Sequence, residues 1–255
     1  MSQRELSMKR LKEILDYNFP RKRTDAEYEE ILSMQEAQSR EIHEKLPGFT
    51  EARYERYLRG PTTLFFSPGS IFHELRKIIS EIGADTWNKE EKYKRAREMS
   101  IATRLSLGLK KLRKEEWMIA SSDAPDIFLA RPSGNDWYRK PFLAVPVEVM
   151  AVPSHEAAKW SHGFPSELVG FVSRKKFGKR YQRETILLVD LNFNYQGIDV
   201  PAISKEVQAI KSIPYHQIWI TGITSLIEDV FMIGSIYAEF RMTRIDINKE
   251  RDLLF

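Results

Sequence analysis

The sequence predicts a mixed α/β protein: a central sheet flanked by helices, with a helical region at the N-terminus. Three observations carry this. Residues 1–60 show amphipathic spacing with little Gly or Pro. Three short runs follow within 116–152, rich in apolar and β-branched residues and parted by turn residues. Beyond them, helix-like and strand-like runs alternate, the order that builds helices onto the faces of a sheet.

Taken in order, LKEILDY is an amphipathic helix and FPRKR a short connection. DAEYEEILSMQEAQSREIHEKL is a second helix, with Thr24 as its cap and Pro47-Gly48 as its stop. Arg53, Arg56 and Arg59 alternate with Tyr54, Tyr57 and Leu58 on a third. This arm reads as a helical cap or a partner-contact region. Ser67-Pro68-Gly69 reads as a turn, and IFHELRKIISEIG as a helix that ends at Gly83. Residues 89–113 read as one long helix, basic at both ends and apolar through Ile101, Ala102, Leu105, Leu109 and Leu112. EWMIASS, DIFLARP and FLAVPVEVMAV are the three strands, with Ser133-Gly134-Asn135-Asp136 in the last connection. FPSELVGFVSRKKFGK is a helix with Ser166 as a cap. TILLVDL is apolar almost throughout, as a strand buried on both faces should be. ISKEVQAIKSI is a helix; HQIWITGI and DVFMIGSIYAEF are strands. RMTRIDINKERDLLF has no decisive pattern. The division expected is a helical region over 1–84 and an α/β domain over 85–255.

Composition narrows the function classes. The 255 residues include no cysteine, which rules out disulfides and thiolate metal sites and fits a cytoplasmic location. No apolar run reaches the ~20 residues a spanning helix needs, and the N-terminal segment has no signal-peptide core. The net charge of +4 is mild, but its placement is uneven. Lys89, Lys92, Lys94, Arg95, Arg97, Lys110, Lys111, Arg113 and Lys114 form one basic cluster. Arg174, Lys175, Lys176, Lys179, Arg180 and Arg183 form another. Each can neutralise phosphates or simply be a solvated helix face. Phe171, Phe177 and Tyr181 interleave with the second cluster, where packing competes with stacking on bases.

Two carboxylates stand out. A hairpin that pairs Ala130 with Ala144 sets Asp126 opposite Glu148. Two acids so placed repel unless a cation lies between them, and oxygen donors of this kind suit Mg²⁺. Glu148 also sits inside FLAVPVEVMAV, where an unpaired charge is costly to bury.

Pro125-Asp126 on one strand and Glu148 at the end of the next resemble the PD-(D/E)XK nuclease superfamily. The order of elements from Lys89 to Tyr237 is similar to its core: a helix, three strands, a helix on the sheet, then another strand. The resemblance implies a restriction-endonuclease-like fold and Mg²⁺- or Mn²⁺-dependent hydrolysis of phosphodiesters, in DNA first. It implies that Asp126 and Glu148 bind the metal, and that Glu98 on the preceding helix assists through a water, with Glu74 as second choice. The departure is Met150, which stands where the pattern has lysine. Three readings stay open. The lysine has moved to Lys175, Lys176 or Lys179, or less simply to Lys159. Or the fold is catalytically inactive, binding nucleic acid or serving as a subunit of a larger nucleoprotein assembly. Or Met150 replaces a native lysine. Partners expected are nucleic acid and, through the N-terminal helices, a protein or a second copy, with no membrane.

Other features point nowhere so specific. His155 and His162, with Glu156, lack a spacing that would bring two imidazoles together. His73 and His216 read as surface or core histidines, and Asp190 as a strand-end polar residue. Neither a phosphate-binding Gly-rich loop nor a nucleophile elbow is present.

Overall fold

The computed structural model describes residues 3–34, 66–121, 125–132, 142–157, 160, 164–179, 181, 184–191, 198–225 and 230–254. Seven strands form one mixed sheet in the spatial order β1 to β7. They are β1 (Met118–Ser121), β2 (Ile127–Pro132), β3 (Phe142–Ala151), β4 (Ile186–Asp190), β5 (Gln217–Ser225), β6 (Val230–Tyr237) and β7 (Arg241–Asp246). The first three pair antiparallel, β3, β4 and β5 pair parallel, and the last three pair antiparallel. The expected mixed sheet is therefore present. The parallel pairs need crossovers, and helices supply them. The tail with no decisive pattern supplies β7, an edge strand whose exposed Arg241 and half-exposed neighbours blur the alternation.

Helices cover both faces. On one lie α1 (Gln3–Asn18), α2 (helical over 25–34), α3 (Pro68–Ile82), α4 (Ala84–Lys89) and α5 (Lys94–Arg113). Leu11, Leu15, Phe19, Ile71, Met99 and Leu105 join Ile127, Leu129, Val147, Val149 and Leu188 in a single core. The N-terminal helices thus spend their apolar face on the molecule's own sheet. On the other face lie α6 (Ser154–Ala157), α7 (Phe164–Val172) and α8 (Val200–Gln208). There Leu168, Phe171 and Ile203 meet Met150, Leu187, Val189 and Ile220. Every residue of β4 is buried, as its apolar run requires.

Local signals explain most helix ends. Thr24 and Glu27 form a reciprocal capping box: Glu27 N–H donates to Thr24 Oγ1 at 3.2 Å, and Thr24 N–H donates to Glu27 Oε2 at 3.0 Å. Gly83 ends α3 with φ at 79°, the left-handed region that glycine enters at no steric cost. Three expectations need correction. Ser67 is the N-cap of α3, accepting from Ser70 N–H, so Pro68-Gly69 open the helix instead of forming a turn. Ser166 lies inside α7, and its hydroxyl donates to Glu206 at 2.8 Å instead of capping. The long helix expected from residue 89 begins at Lys94, after α4 and a 3₁₀ turn over Glu91–Tyr93. At Gly108 α5 presses close to the sheet: a Cβ there would sit 2.9 Å from Ile233.

The connection FPRKR buries its charges. Arg21 and Arg23 have side chains only 2% and 0% exposed, and both converge on Glu74 of α3, at 2.8 and 2.7 Å. Arg21 also reaches Glu27 at 2.9 Å, and Arg23 reaches Asp16 at 3.1 Å. Burial alone would raise the Glu74 carboxyl, but the two guanidiniums hold it below its ordinary range. This network fastens the α1–α2 connection to the body of the fold.

Candidate active site

Asp126 stands one residue before β2. Ala130 pairs with Ala144 and Ile127 with Val147, so the same register continued sets position 126 across from position 148. That is the pairing expected from the sequence. The Asp126 carboxylate accepts the backbone N–H of Val149 at 2.9 Å. Burial raises its pKa and the Glu148 charge adds to that, against the Val149 hydrogen bond and the charge of Lys176.

Glu148 points to the face covered by α7. Lys176 Nζ donates to its Oε2 at 2.8 Å, and both side chains are 14% exposed. Of the lysines weighed in place of Met150, Lys176 is the one beside Glu148. Arg174, Lys175 and Lys179 are exposed; Lys159, Arg180 and Arg183 lie outside the described residues. The placement has a local cause. Over Ser173–Phe177 the helix widens into a π turn, which rotates the residues after α7 relative to an α-helical continuation. Met150 itself is buried with Leu168 and Phe171. It is a core residue, so its thioether fills space under α7.

Glu98 lies in the second turn of α5. Burial first, then the charge of Asp126, push its carboxyl up to about 7, against the pull of Lys94 and Arg95. Glu98 and Asp126 line one cleft of about 430 Å³, together with Asp16 and Tyr17 of α1, Glu91 and Lys92 of the 3₁₀ turn, and Lys94 and Arg95 at the start of α5. Glu148 and Lys176 do not line it. Asp126 is the joint, in the cleft with Glu98 and across the strands from Glu148. Among the described residues, no group of three acidic or histidine side chains lies close enough to hold a metal ion. The charges couple in pairs, Glu98 with Asp126 and Asp126 with Glu148.

Other candidates fall elsewhere. Glu74 belongs to the arginine network. Asp190 is buried against Arg104 of α5 at 2.9 Å, an internal ion pair. His73 and His216 are exposed, the side chain of His155 and all of His162 lie outside the described residues, and Phe171 packs on Trp160. In the first basic cluster, Lys110, Lys111 and Arg113 engage Glu116, Glu250 and Glu239. Sequence reasoning missed Tyr17 and Tyr215. Tyr17 ends LKEILDY, a segment read only as an amphipathic helix. Tyr215 is 3% exposed, stacks on Tyr181 at 4.6 Å, and has its phenol pKa raised by burial, by Tyr181 and by the Glu148 and Asp126 charges.

The raised carboxyl of Glu98 has a sign that can be measured. Its folded pKa of about 7 exceeds the ordinary 4.5, so the folded state holds a proton that the unfolded chain releases between these values. Stability is full below the lower value and is lost as pH rises through the upper one. Thermal melts should therefore fall from pH 5 to pH 8 in the wild type. In Glu98→Gln they should fall less, the variant being the more stable protein at pH 8. Equal slopes for the two proteins would contradict the assignment.

No family model, curated protein or solved structure matches the chain. Among the described residues, no helix is long and apolar enough to cross a membrane.

Proposed function

We propose that the protein is a metal-dependent, nuclease-like hydrolase of the PD-(D/E)XK type that cleaves phosphodiester bonds, in DNA first. The observation that carries this reading is the amine of Lys176 at 2.8 Å from Glu148, on the strand next to Asp126. An acid pair and a lysine, the chemistry that the strand triplet with Met150 lacks, thereby stand together. The order helix, three antiparallel strands, helix, parallel strand also supports it.

The donor set fits a hard divalent cation. Asp126 keeps one oxygen on Val149 N–H, and Glu148 keeps one on Lys176, which leaves the second oxygen of each. Burial first, and then the charge of a neighbouring carboxylate, raises the carboxyls of Asp126 and Glu98, a cost that a bound cation would relieve. Mg²⁺ or Mn²⁺ held by Asp126 and Glu148 would supply Lewis-acid stabilisation of phosphate charge and an acidified water. Lys176 adds a point charge that can meet a phosphate oxygen while Glu148 holds the amine in place. Glu98, with a carboxyl near 7, can take up or release a proton close to neutrality.

Purified protein incubated with plasmid and with single-stranded DNA, in Mg²⁺ and in Mn²⁺, tests this. Lys176→Met should lower the cleavage rate by about 100-fold or more. Lys176→Arg keeps charge and should retain part of it. Correctly folded protein that cuts nothing under any metal would overturn the reading. One observation favours a non-catalytic binding protein instead: Lys176 and Glu148 already neutralise each other as a structural ion pair does. That alternative predicts salt-sensitive DNA binding, weakened by charge reversal at Arg174, Lys175 and Lys179, with no turnover.

A further inference from the structure

The cleft beside Asp126 has a composition that the acid pair does not explain. Four carboxylates line it, those of Asp16, Glu91, Glu98 and Asp126, together with three cations, Lys92, Lys94 and Arg95, and the ring of Tyr17. Tyr17 is 46% exposed, the largest exposure of any tyrosine among the described residues' exposed apolar side chains. The Arg95 guanidinium lies 4.4 Å from the centre of its ring. The guanidinium thus covers one face of the ring, and the exposed remainder of the tyrosine, flanked by this cation, is the kind of surface on which an unpaired base stacks. Tyr17 comes from the last turn of α1 and Arg95 from the first turn of α5, so this surface exists only where the N-terminal helices meet the sheet domain. Lys94 and Arg95 occupy the first turn of a helix of 20 residues, where basic side chains oppose the helix dipole. Their charge there offsets part of the carboxylate charge that lines the cleft.

Size narrows the ligand. At about 430 Å³ the cleft is in the range of a pocket for one small molecule of roughly 300–1,000 Å³. It has room for one unstacked nucleotide and too little for a base pair with both backbones. Resting on the phosphodiester reading, we propose that this cleft takes a single unpaired nucleotide of a nucleic-acid strand, its base on Tyr17 and its phosphate between Lys94 and Arg95. The substrate class is thus a single-stranded segment or frayed end, in preference to an intact duplex. This surface holds the strand with its backbone running past Asp126.

Fluorescence anisotropy on the full chain, with chelator present so that binding is read without turnover, tests this. The probes are a fluorescein-labelled oligothymidylate of about ten nucleotides and a duplex of the same length. The single strand should bind at least about fivefold more tightly than the duplex. Tyr17→Ala should weaken single-strand binding by about tenfold, and Tyr17→Trp should preserve it. Arg95→Gln should weaken single-strand binding more than duplex binding. A duplex bound as tightly as the single strand, or a folded Tyr17→Ala protein that binds the single strand like wild type, overturns the proposal. Failure of the hydrolase reading looks different: the single-strand preference and the Tyr17 effect persist, and no metal supports cleavage.

Discussion

Replacing Asp126 or Glu148 by alanine is expected to abolish measurable cleavage, with a loss of at least about 100-fold in rate. Removing a hydrogen-bond partner of a metal ligand typically costs 10–100-fold, so losing a ligand itself should cost no less. Each alanine also removes a structural contact. Asp126→Ala frees Val149 N–H, and Glu148→Ala leaves Lys176 half-buried without its carboxylate. The isosteres separate chemistry from folding. The amide oxygen of Asp126→Asn can still accept from Val149, and that of Glu148→Gln can still accept from Lys176, yet neither offers an anionic oxygen to a cation. Initial rates on plasmid in Mg²⁺ and Mn²⁺, with circular dichroism to verify folding, decide the matter. Cleavage by both isosteres at the wild-type rate would remove these carboxylates from the chemistry.

The largest loss of stability should come from Glu74→Ala, far from the acid pair. Arg21 and Arg23 would then remain in the interior, with side chains 2% and 0% exposed, and lose the carboxylate they share. Removing one partner from a buried ion network strands the others, which costs about 3–5 kcal/mol. An urea titration should show a clear fall in midpoint. Glu30→Ala, at an exposed position on α2, should shift stability by no more than about 0.5 kcal/mol. A Glu74→Ala midpoint equal to that control would mean that Glu27 and Asp16 suffice to hold both guanidiniums.

Some of this was legible in the sequence and some was not, for physical reasons. The β2–β3 register was legible because alternation and a turn leave one pairing that buries Ile127, Leu129, Val147 and Val149 together. The capping box at Thr24 was legible because it is a contact between near neighbours in sequence. The lysine beside Glu148 was narrowed to a few on one helix but not to Lys176, because a π turn breaks the 3.6-residue phase on which helix reasoning depends. The arginine network was illegible. Arginines are seldom fully buried, so FPRKR reads as a solvated link, and its partner Glu74 lies more than 50 residues away. Tyr17 escaped notice for a related reason, since its neighbour Arg95 comes from a different helix.

Lys176 sits on the π turn that follows α7 while Glu148 sits on the sheet, so their contact is conditional. A lysine at position 150 would share one rigid strand with Glu148. Lys176 instead keeps its place only while Leu168, Phe171 and Val172 hold the helix down. Anything that lifts this helix would part the amine from Glu148 without unfolding the sheet, and anything that seats it would restore the pair. The Lys176–Glu148 pair thus answers to how well a helix is docked as well as to which side chains are present.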